Sequence, residues 1–426
     1  MNVPRSTFPP LKSLDDALAE LLSHASPLAA TEYVNTFDAD GRVLVVDLVS
    51  ALHVPPQDNS AMDGYALRCA DVPTPGVVLP VSQRIAAGSN GQPLLPGSVA
   101  RIFTGAPIPA GADTVVMQED CEALGDTATV RVKTTPQLGQ WIRRAGEDVA
   151  RGAVVLSKGE LLTPASLGLA AGIGMKNVPV APRPRVALFS TGDELVMPGD
   201  VAPQDMRPGT IYNSNRFFLR ALLQRLGCVV TDMGIVPDRR DATLDALRAA
   251  ALDHDLILTS GGVSVGEEDH IKPAVQALGE LDLWQIAIKP GKPFAYGKIR
   301  KSVLADPVEA STDFAHFIGL PGNPVSSFVT FMVLVRPFLR QLQGASHITP
   351  VATAMPAHFN WPRADKRREF LRVRRNAAGG LDLFPNQSSG VLTSAVWGDG
   401  LVDNPAGRTI AHGDSVQFIS FSDLMG

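Results

Sequence analysis

Several stretches of this chain bring chemically capable residues together in loop-forming contexts. Residues 259–270 (TSGGVSVGEEDH) follow an apolar run. Gly261, Gly262 and Ser264 leave backbone N–H groups free to surround an oxyanion, as glycine-rich strand-to-helix turns do. Glu267, Glu268 and Asp269 add carboxylates at the same mouth. A phosphate facing carboxylates ordinarily shares a divalent cation with them. Residues 190–195 (STGDEL) repeat this order of small residues and then acids, Asp193 and Glu194. Alone they read equally well as a helix N-cap whose acids complement the helix dipole. Residues 289–293 (KPGKP) hold Lys289 and Lys292 on a proline-stiffened turn, which limits the entropy lost when they bind an anion. Solvated surface lysines would look the same. Residues 320–327 (LPGNPVSS) place Pro321, Asn323 and Pro324 ahead of Ser326 at a helix start, a geometry that receives oxyanions. Together they suggest a second anion pocket.

Other stretches are less specific. Residues 58–66 (DNSAMDGYA) gather two acids, an Asn, a Ser and a Tyr, but read first as a polar turn. Residues 103–113 (FTGAPIPAGAD) and 143–149 (RRAGEDV) are equally compatible with turns. Residues 366–375 (KRREFLRVRR) hold six basic residues and one acid. The period-two rule puts Arg372 and Arg374 on one face, with Leu371 and Val373 on the other. That pattern fits a solvated edge strand or an arginine rim for an anionic ligand. No HExxH, Walker A or CxxC occurs, and the eight histidines show no metal-ligand spacing. Zinc-protease, P-loop NTPase and iron–sulfur functions therefore have no support.

These loops must be carried by a framework, and the chain supplies a readable one. From Arg185 strand and helix patterns alternate: strands at 185–190, 228–236, 255–260 and 283–288, and helices at 214–226, 242–252, 271–278 and 324–342. Such alternation predicts a parallel, doubly wound sheet that binds ligands beyond the carboxyl ends of its strands. The four loops of the first paragraph fall there. Residues 13–24 read as a helix capped by Ser13, with an apolar stripe of Leu14, Ala17, Leu18, Leu21 and Leu22. Residues 41–49 are β-rich. Short β runs at 76–81, 114–117 and 129–133, cut by Gly/Pro turns, predict a β-dominated insert. Thr163–Pro164 opens a further helix that Gly172 and Gly174 close. After Gln343 short β runs return and predict a small C-terminal β-barrel. The expected domains are a discontinuous linker and dimerisation unit (1–50 with 150–178), the insert (51–149), the αβ domain (179–343) and the barrel (344–426). The 13–24 helix is free to pack elsewhere.

Composition agrees with a multi-domain globular protein. There are 426 residues, 45% hydrophobic and 19% charged, which suggests two to four domains. A formal net charge of −5 argues against nucleic-acid binding. Cys69, Cys121 and Cys228 are too few and too scattered for a disulfide framework or a zinc cage, so a reducing cytoplasm is the expected compartment. The first 22 residues show no signal-peptide h-region. No run reaches about 18 apolar residues, so no membrane association is expected. The apolar stretch 328–339 reads as a buried helix. The 38 glycines and 34 prolines follow no repeat and belong to many ordered turns.

The motifs PPQDNSAMDGYALR, RIFTGAPIPAGADTVVMQED, IRRAGEDV, STGDELV, TSGGVSVGEEDH, IKPGKPFAYGK and GLPGNPVSSFVTF stand in one order along the chain. In that order and spacing the sequence resembles the molybdopterin molybdenumtransferase family (MoeA, and the gephyrin E domain) over essentially its whole length. The resemblance implies a multi-domain fold: a doubly wound αβα domain similar to the MogA adenylyltransferases, a β-rich insert and a small C-terminal β-barrel. It implies molybdenum cofactor biosynthesis, in which molybdenum from molybdate enters adenylyl-molybdopterin and AMP leaves with the help of Mg2+. It further implies a homodimer whose cleft lies between the αβ domain and the partner's insert. A MogA-type adenylyltransferase and downstream cofactor-handling proteins would be its protein partners.

By the same resemblance Asp63, Thr104 and Asp148 belong to the insert side of the cleft. Glu194, Asp238 and Asp269 would hold the metal and the pterin phosphate. Lys289, Lys292, Ser326 and Arg372 would contact molybdate and pterin anions, with Ser389 or Ser394 completing that side. Charge neutralisation is the chemistry these residues suit, and no protein nucleophile is needed. Two departures stand out. Gln285 replaces a Lys that some members carry, and residues 298–317 are longer than expected, so an insertion there would form a surface loop or extended hairpin. A nucleotide or pyrophosphate hydrolase on the same αβ scaffold, like the CinA relatives, and a non-catalytic molybdopterin-binding scaffold are the alternatives. The insert and the retained acidic and basic set argue against both.

Overall fold

The computed structural model describes residues 11–125, 128–262, 270–301 and 313–425. Its largest unit is a three-layer αβα sandwich. The sheet runs in the order Val229–Val236, Arg185–Thr191, Leu256–Ser260, Phe314–Leu320, Pro293–Arg300 and Gly279–Gln285. The first four strands are parallel, and each of their central members is a buried apolar run, as a sheet covered on both faces requires. Helices Leu14–Ser23, Asn215–Arg225 and Pro324–Leu342 supply the core on one face. Arg240–Asp253 and Ile271–Leu278 supply it on the other.

The last two strands depart from the expected all-parallel sheet. Gly279–Gln285 and Pro293–Arg300 form an antiparallel hairpin, and the second pairs antiparallel with Phe314–Leu320. The expected strand at 283–288 therefore starts and stops earlier, and the KPGKP turn lies in the hairpin's loop and its return. Gly279 suits the close pairing here: a Cβ at that position would lie 1.8 Å from the Lys298 carbonyl oxygen.

The helix Pro324–Leu342 is 19 residues long and apolar enough to cross a membrane by length and composition. It is instead 89% buried in this fold, with a π-helical turn at Phe331–Val335. Helix Leu14–Ser23 begins at Ser13, whose hydroxyl accepts from the Asp16 N–H at 3.0 Å. It packs Leu14, Ala17 and Leu21 into the αβ core.

The insert is a six-stranded sheet in the order Thr114–Met117, Gly64–Leu67, Val99–Ile102, Val78–Ile85, Thr129–Val132 and Cys121–Leu124. It carries two small cores, one around Tyr65, Leu67 and Val130, the other around Ala66, Ile85 and Ile102. A separate core of Leu44, Leu48, Leu156, Leu162 and Val178 joins segments before and after the insert. Helix Pro164–Gly172 borders it, capped by Thr163 with proline in its first turn.

In the C-terminal unit, Arg368–Arg375 pairs with Leu381–Leu383 and Gly400–Asn404; the latter pairs with Ser415–Ser420, and that strand with Thr353–Pro356. A bridge from Ala357 to Leu381 closes the ring, so the expected barrel forms around Leu371, Val373, Val402 and Phe418. Ile288–Lys289, from the hairpin loop, adds as a parallel strand beside Arg368–Glu369 and binds the barrel to the αβ unit.

Candidate active site

The carboxyl ends of the parallel strands surround a cavity of about 580 Å3. Thr191, Gly192 and Glu194 reach it from the first strand's loop. Asn213, Ser214 and Asn215 come from the helix start that comes next in the chain, and Asp238 from beyond the next strand. Ser260, Gly261 and Gly262 follow Leu256–Ser260, and Pro321, Asn323, Pro324 and Ser326 follow Phe314–Leu320. Pro293, the last residue of KPGKP, closes the rim. This is the strand-end location that doubly wound sheets use for ligands.

The backbone at the cavity demands glycine. Gly261 has φ +97°, and a Cβ there would lie 2.9 Å from the Thr191 carbonyl oxygen. Gly262 has φ +69°, and its Cβ would meet the Ile271 side chain at 2.8 Å. Both conformations keep the loop tight against the first strand and leave the backbone accessible to a ligand.

Asn215 organises the interior. It is 7% exposed, and its Nδ2 donates to Ser260 Oγ and to the Gly322 carbonyl, both at 2.7 Å. One side chain thus ties a helix start to two strand-end loops. Its Oδ1 and the Asn213 Nδ2 are buried without a partner among the described residues. Unpaired buried polar atoms are costly, and here one acceptor and one donor belong to cavity-lining residues. On the acidic side, Glu194 is exposed and Asp238 half-buried at the rim, and the Asp238 N–H donates to Asp193 Oδ1 at 3.4 Å.

The remaining sites named from the sequence fall into three groups. Ser264 and Asp269, with Glu267 and Glu268, lie outside the described residues. Asp63 and Thr104 meet on the exposed face of the insert: the Thr104 N–H and hydroxyl both donate to Asp63 Oδ1 at 2.8 Å. These two bonds hold the Asp63 carboxyl below the usual carboxylate range. Asp148 is exposed beside the Val54–Val149 bridge of the same unit. In this chain none of the three lines the αβ cavity.

The basic and hydroxyl residues form the third group. Arg372 is 1% exposed, on neither a solvated edge nor a rim. The strand it sits on is inside the assembly, because the barrel packs one face and the αβ unit the other. Its guanidinium donates to Ser394 Oγ at 3.1 Å, to the Phe370 carbonyl at 3.0 Å and to the Ser388 carbonyl at 3.3 Å. Burial pushes its pKa down to about 10, which still leaves it charged near neutrality. The next carbonyl, of Ser389, accepts from the Val325 N–H at 2.9 Å. Arg372 therefore reaches the cavity indirectly, through the 388–389 loop and the helix turn that carries Pro324 and Ser326. Lys292 is exposed beside the rim residue Pro293. Lys289 is already engaged: its Nζ lies 3.0 Å from Glu369 Oε1 and 3.4 Å from Asp365 Oδ2. Gln285 uses its backbone carbonyl to accept from the Lys12 N–H at 2.8 Å.

Known proteins locate this architecture. Residues 12–174 match the MoeA N-terminal region (domain I and II), 187–341 a probable molybdopterin binding domain, and 354–421 the MoeA C-terminal region (domain IV). The molybdopterin molybdenumtransferase of Haemophilus influenzae is 38% identical over 422 residues, covering 97% of this chain and 100% of that one. Molybdopterin molybdenumtransferase 2 of Mycobacterium tuberculosis is 37% identical over 405 residues, covering 91% and 93%. The chain belongs to the molybdopterin molybdenumtransferase (MoeA) family. A crystal structure of the molybdopterin biosynthesis moeA protein from Pyrococcus horikoshii superposes with a TM-score of 0.82 at 27% identity, covering 97% of this chain and 100% of that one. The protein is thus a transferase of molybdenum cofactor biosynthesis.

For this MoeA-family chain, sequence reasoning missed Asn213, Asn215 and Thr191 as cavity residues. Asn213 directly precedes the predicted helix at 214–226, and its Oδ1 accepts from the Arg216 N–H at 3.3 Å. The run YNSN at 212–215 is denser in amides and hydroxyls than one cap requires, and that excess was the available signal.

Proposed function

We propose that this enzyme inserts molybdenum from molybdate into adenylyl-molybdopterin and releases AMP, with the αβ cavity holding the pterin and its phosphates. One observation carries the reading. The cavity is lined by the carboxylates of Glu194 and Asp238, by glycine-loop and helix-start backbone, and by Asn213 and Asn215, whose Nδ2 and Oδ1 have no partner among the described residues. A ligand bearing donors, acceptors and phosphate satisfies all three, whereas an apolar ligand would leave the amides unpaired.

Mg2+ suits the acidic rim. Glu194 and Asp238 offer hard oxygen donors on one cavity. Among the described residues no three acidic, His or Cys side chains gather tightly enough to hold an ion alone. Mg2+ takes carboxylate oxygens together with substrate phosphates and retains bound waters. Glu194, Asp238 and Asp269 would hold it, and when bound it neutralises charge on the bridging phosphates. The chain's own groups do the rest. Gly261 and Gly262 approach the phosphates, with Ser264 following in the same loop. Pro321, Asn323, Pro324 and Ser326 receive an oxyanion at the helix start, with Lys292 at the rim, Lys289 nearby, and Arg372, Ser389 and Ser394 behind.

Asp63, Thr104 and Asp148 complete the cleft from a second copy of the chain. Tyr33 and Phe37, 76% and 94% exposed beside the Glu32–Asn35 strand, provide apolar surface of the kind a homodimer covers. The three free cysteines suit a cytoplasmic enzyme that exchanges substrate with a MogA-type adenylyltransferase and passes product to cofactor-handling proteins. The test is incubation with adenylyl-molybdopterin, MgCl2 and molybdate. AMP should appear only when molybdate is present. Release without molybdate would indicate a hydrolase, and binding without release a scaffold.

A further inference from the structure

The insert carries a feature that the αβ cavity does not explain. On one sheet face Arg84, on Val78–Ile85, stands in register with Arg101 on Val99–Ile102, and Arg101 in turn with Tyr65 on Gly64–Leu67. Like charges directly opposite each other destabilise a sheet. Among the described residues neither arginine forms a close ion pair, although the Asp63 carboxylate lies within Coulombic reach of Arg101. Phe103 holds them instead: the guanidinium carbons of Arg84 and Arg101 lie 4.7 and 4.8 Å from its ring centroid, and Arg101 is 5.1 Å from that of Tyr65.

The two arginines have different duties. Arg101 is spent on the segment around Asp63. It donates to the Gly64 carbonyl at 3.0 Å and to Gln118 Oε1 at 2.6 Å, while the Gln118 N–H donates to the Asp63 carbonyl at 3.0 Å. The Arg84 side chain makes no hydrogen bond within the described residues and is exposed, so its five N–H donors stay available on a rigid aromatic support. The Asp63 carboxylate accepts both Thr104 donors on Oδ1 and makes no hydrogen bond to Arg84 among the described residues.

We propose that this face is an oxyanion site in its own right, with Arg84 as the direct contact and Phe103 and Arg101 as its support. Its ligand is a tetrahedral dianion, a chemistry that molybdate and a phosphomonoester share. The planar guanidinium fork matches two oxygens of such an ion. The site needs no assumption about the transferase reaction, although the kinetic arm of its test rests on the function proposed above.

The test compares the wild-type full-length protein with Arg84→Ala and Arg84→Lys. Arg84→Ala removes the Phe103 ring contact together with the repulsion of Arg101, two opposing effects, so it should melt close to the wild type. Calorimetric titration with inorganic phosphate and with molybdate at low salt should show binding weakened by about tenfold, the equivalent of about 1.4 kcal/mol, in Arg84→Ala. Arg84→Lys should recover only part of it, since an ammonium restores charge without the fork. In steady-state assays Arg84→Ala should raise KM about tenfold with little change in kcat, the signature of a lost binding contact. A raised KM for molybdate assigns the site to molybdate, and a raised KM for adenylyl-molybdopterin assigns it to the substrate phosphate. Wild-type affinity for both probes in Arg84→Ala overturns the proposal. Absence of molybdate-dependent AMP release in the wild type would refute the transferase reading and leave the titration standing as the test of this site.

Discussion

Asn215 offers the most direct check on how the cavity is held together. Replacing it with Ala removes the two 2.7 Å hydrogen bonds that join its helix start to Ser260 and to Gly322. Each such bond contributes about 0.5–1.5 kcal/mol net, so the direct loss is about 1–3 kcal/mol. The two acceptors respond differently to that loss. Ser260 is 4% exposed and recovers no partner from solvent, whereas Gly322 is exposed and its carbonyl can turn to water. The destabilisation therefore falls near the middle of the range, about 2 kcal/mol, and a unit of this size should melt about 4–8 °C lower by scanning calorimetry. Function should suffer as well, because the Gly261–Gly262 and Pro321–Pro324 loops lose their shared anchor. Displacements of about 1 Å can cost up to about a hundredfold in rate. The Asn215→Asp variant separates anchoring from charge. It retains the side-chain volume but cannot donate to Gly322, and it adds a negative charge to an anion cavity. It should therefore raise KM for adenylyl-molybdopterin more than Asn215→Ala does. If Asn215→Ala melts within about 1 °C of the wild type and keeps its KM, the anchoring argument is wrong.

Three further outcomes are expected. His316 is 9% exposed, its Nδ1 lies 2.9 Å from the Tyr296 hydroxyl, and burial pushes its pKa from 6.5 down to about 4. The unfolded chain then binds a proton that the folded chain refuses, so stability is full above about pH 6.5 and falls as the pH drops toward about 4. The loss is on the order of 3 kcal/mol by that point, and denaturation curves of a His316→Phe variant should lack this slope. Thr104→Ala removes the hydroxyl donor to Asp63, so the Asp63 carboxyl should titrate higher than in the wild type by carbon NMR; an unchanged value would mean that the backbone N–H alone sets it. Gly261→Ala forces an L residue to φ +97° with its Cβ 2.9 Å from the Thr191 carbonyl oxygen. It should destabilise the protein by at least about 1 kcal/mol and raise KM for the substrate, and wild-type behaviour in both would show that the loop relaxes freely.

How much could be read beforehand depends on the range of the forces involved. Ile271–Leu278 and Thr114–Met117 were readable to the residue, because local apolar periodicity and flanking turns specify them. The direction of Gly279–Gln285 was not, since a strand's pattern is the same whichever way its neighbour runs, and only the pairing with Pro293–Arg300 makes it antiparallel. The same limit applies to the candidate site. Each glycine or proline loop announces its own chemistry, and the αβ fold collects those loops at one sheet edge, so Glu194, Gly261 and Asn323 were legible as a group, while Asp238 came only with the family resemblance. What a charged side chain does depends on partners remote in sequence. Lys289 reads as a free cation until the barrel brings Glu369, 80 residues on, to its ammonium. Arg372 reads as a surface charge until Ser394 and the Ser388 carbonyl enclose it. Arg84, by contrast, keeps its guanidinium without a hydrogen-bonding partner among the described residues, on an aromatic support beside Asp63 and Thr104. Two arginines in register cost the sheet stability, and an anionic ligand on that face would offset the cost.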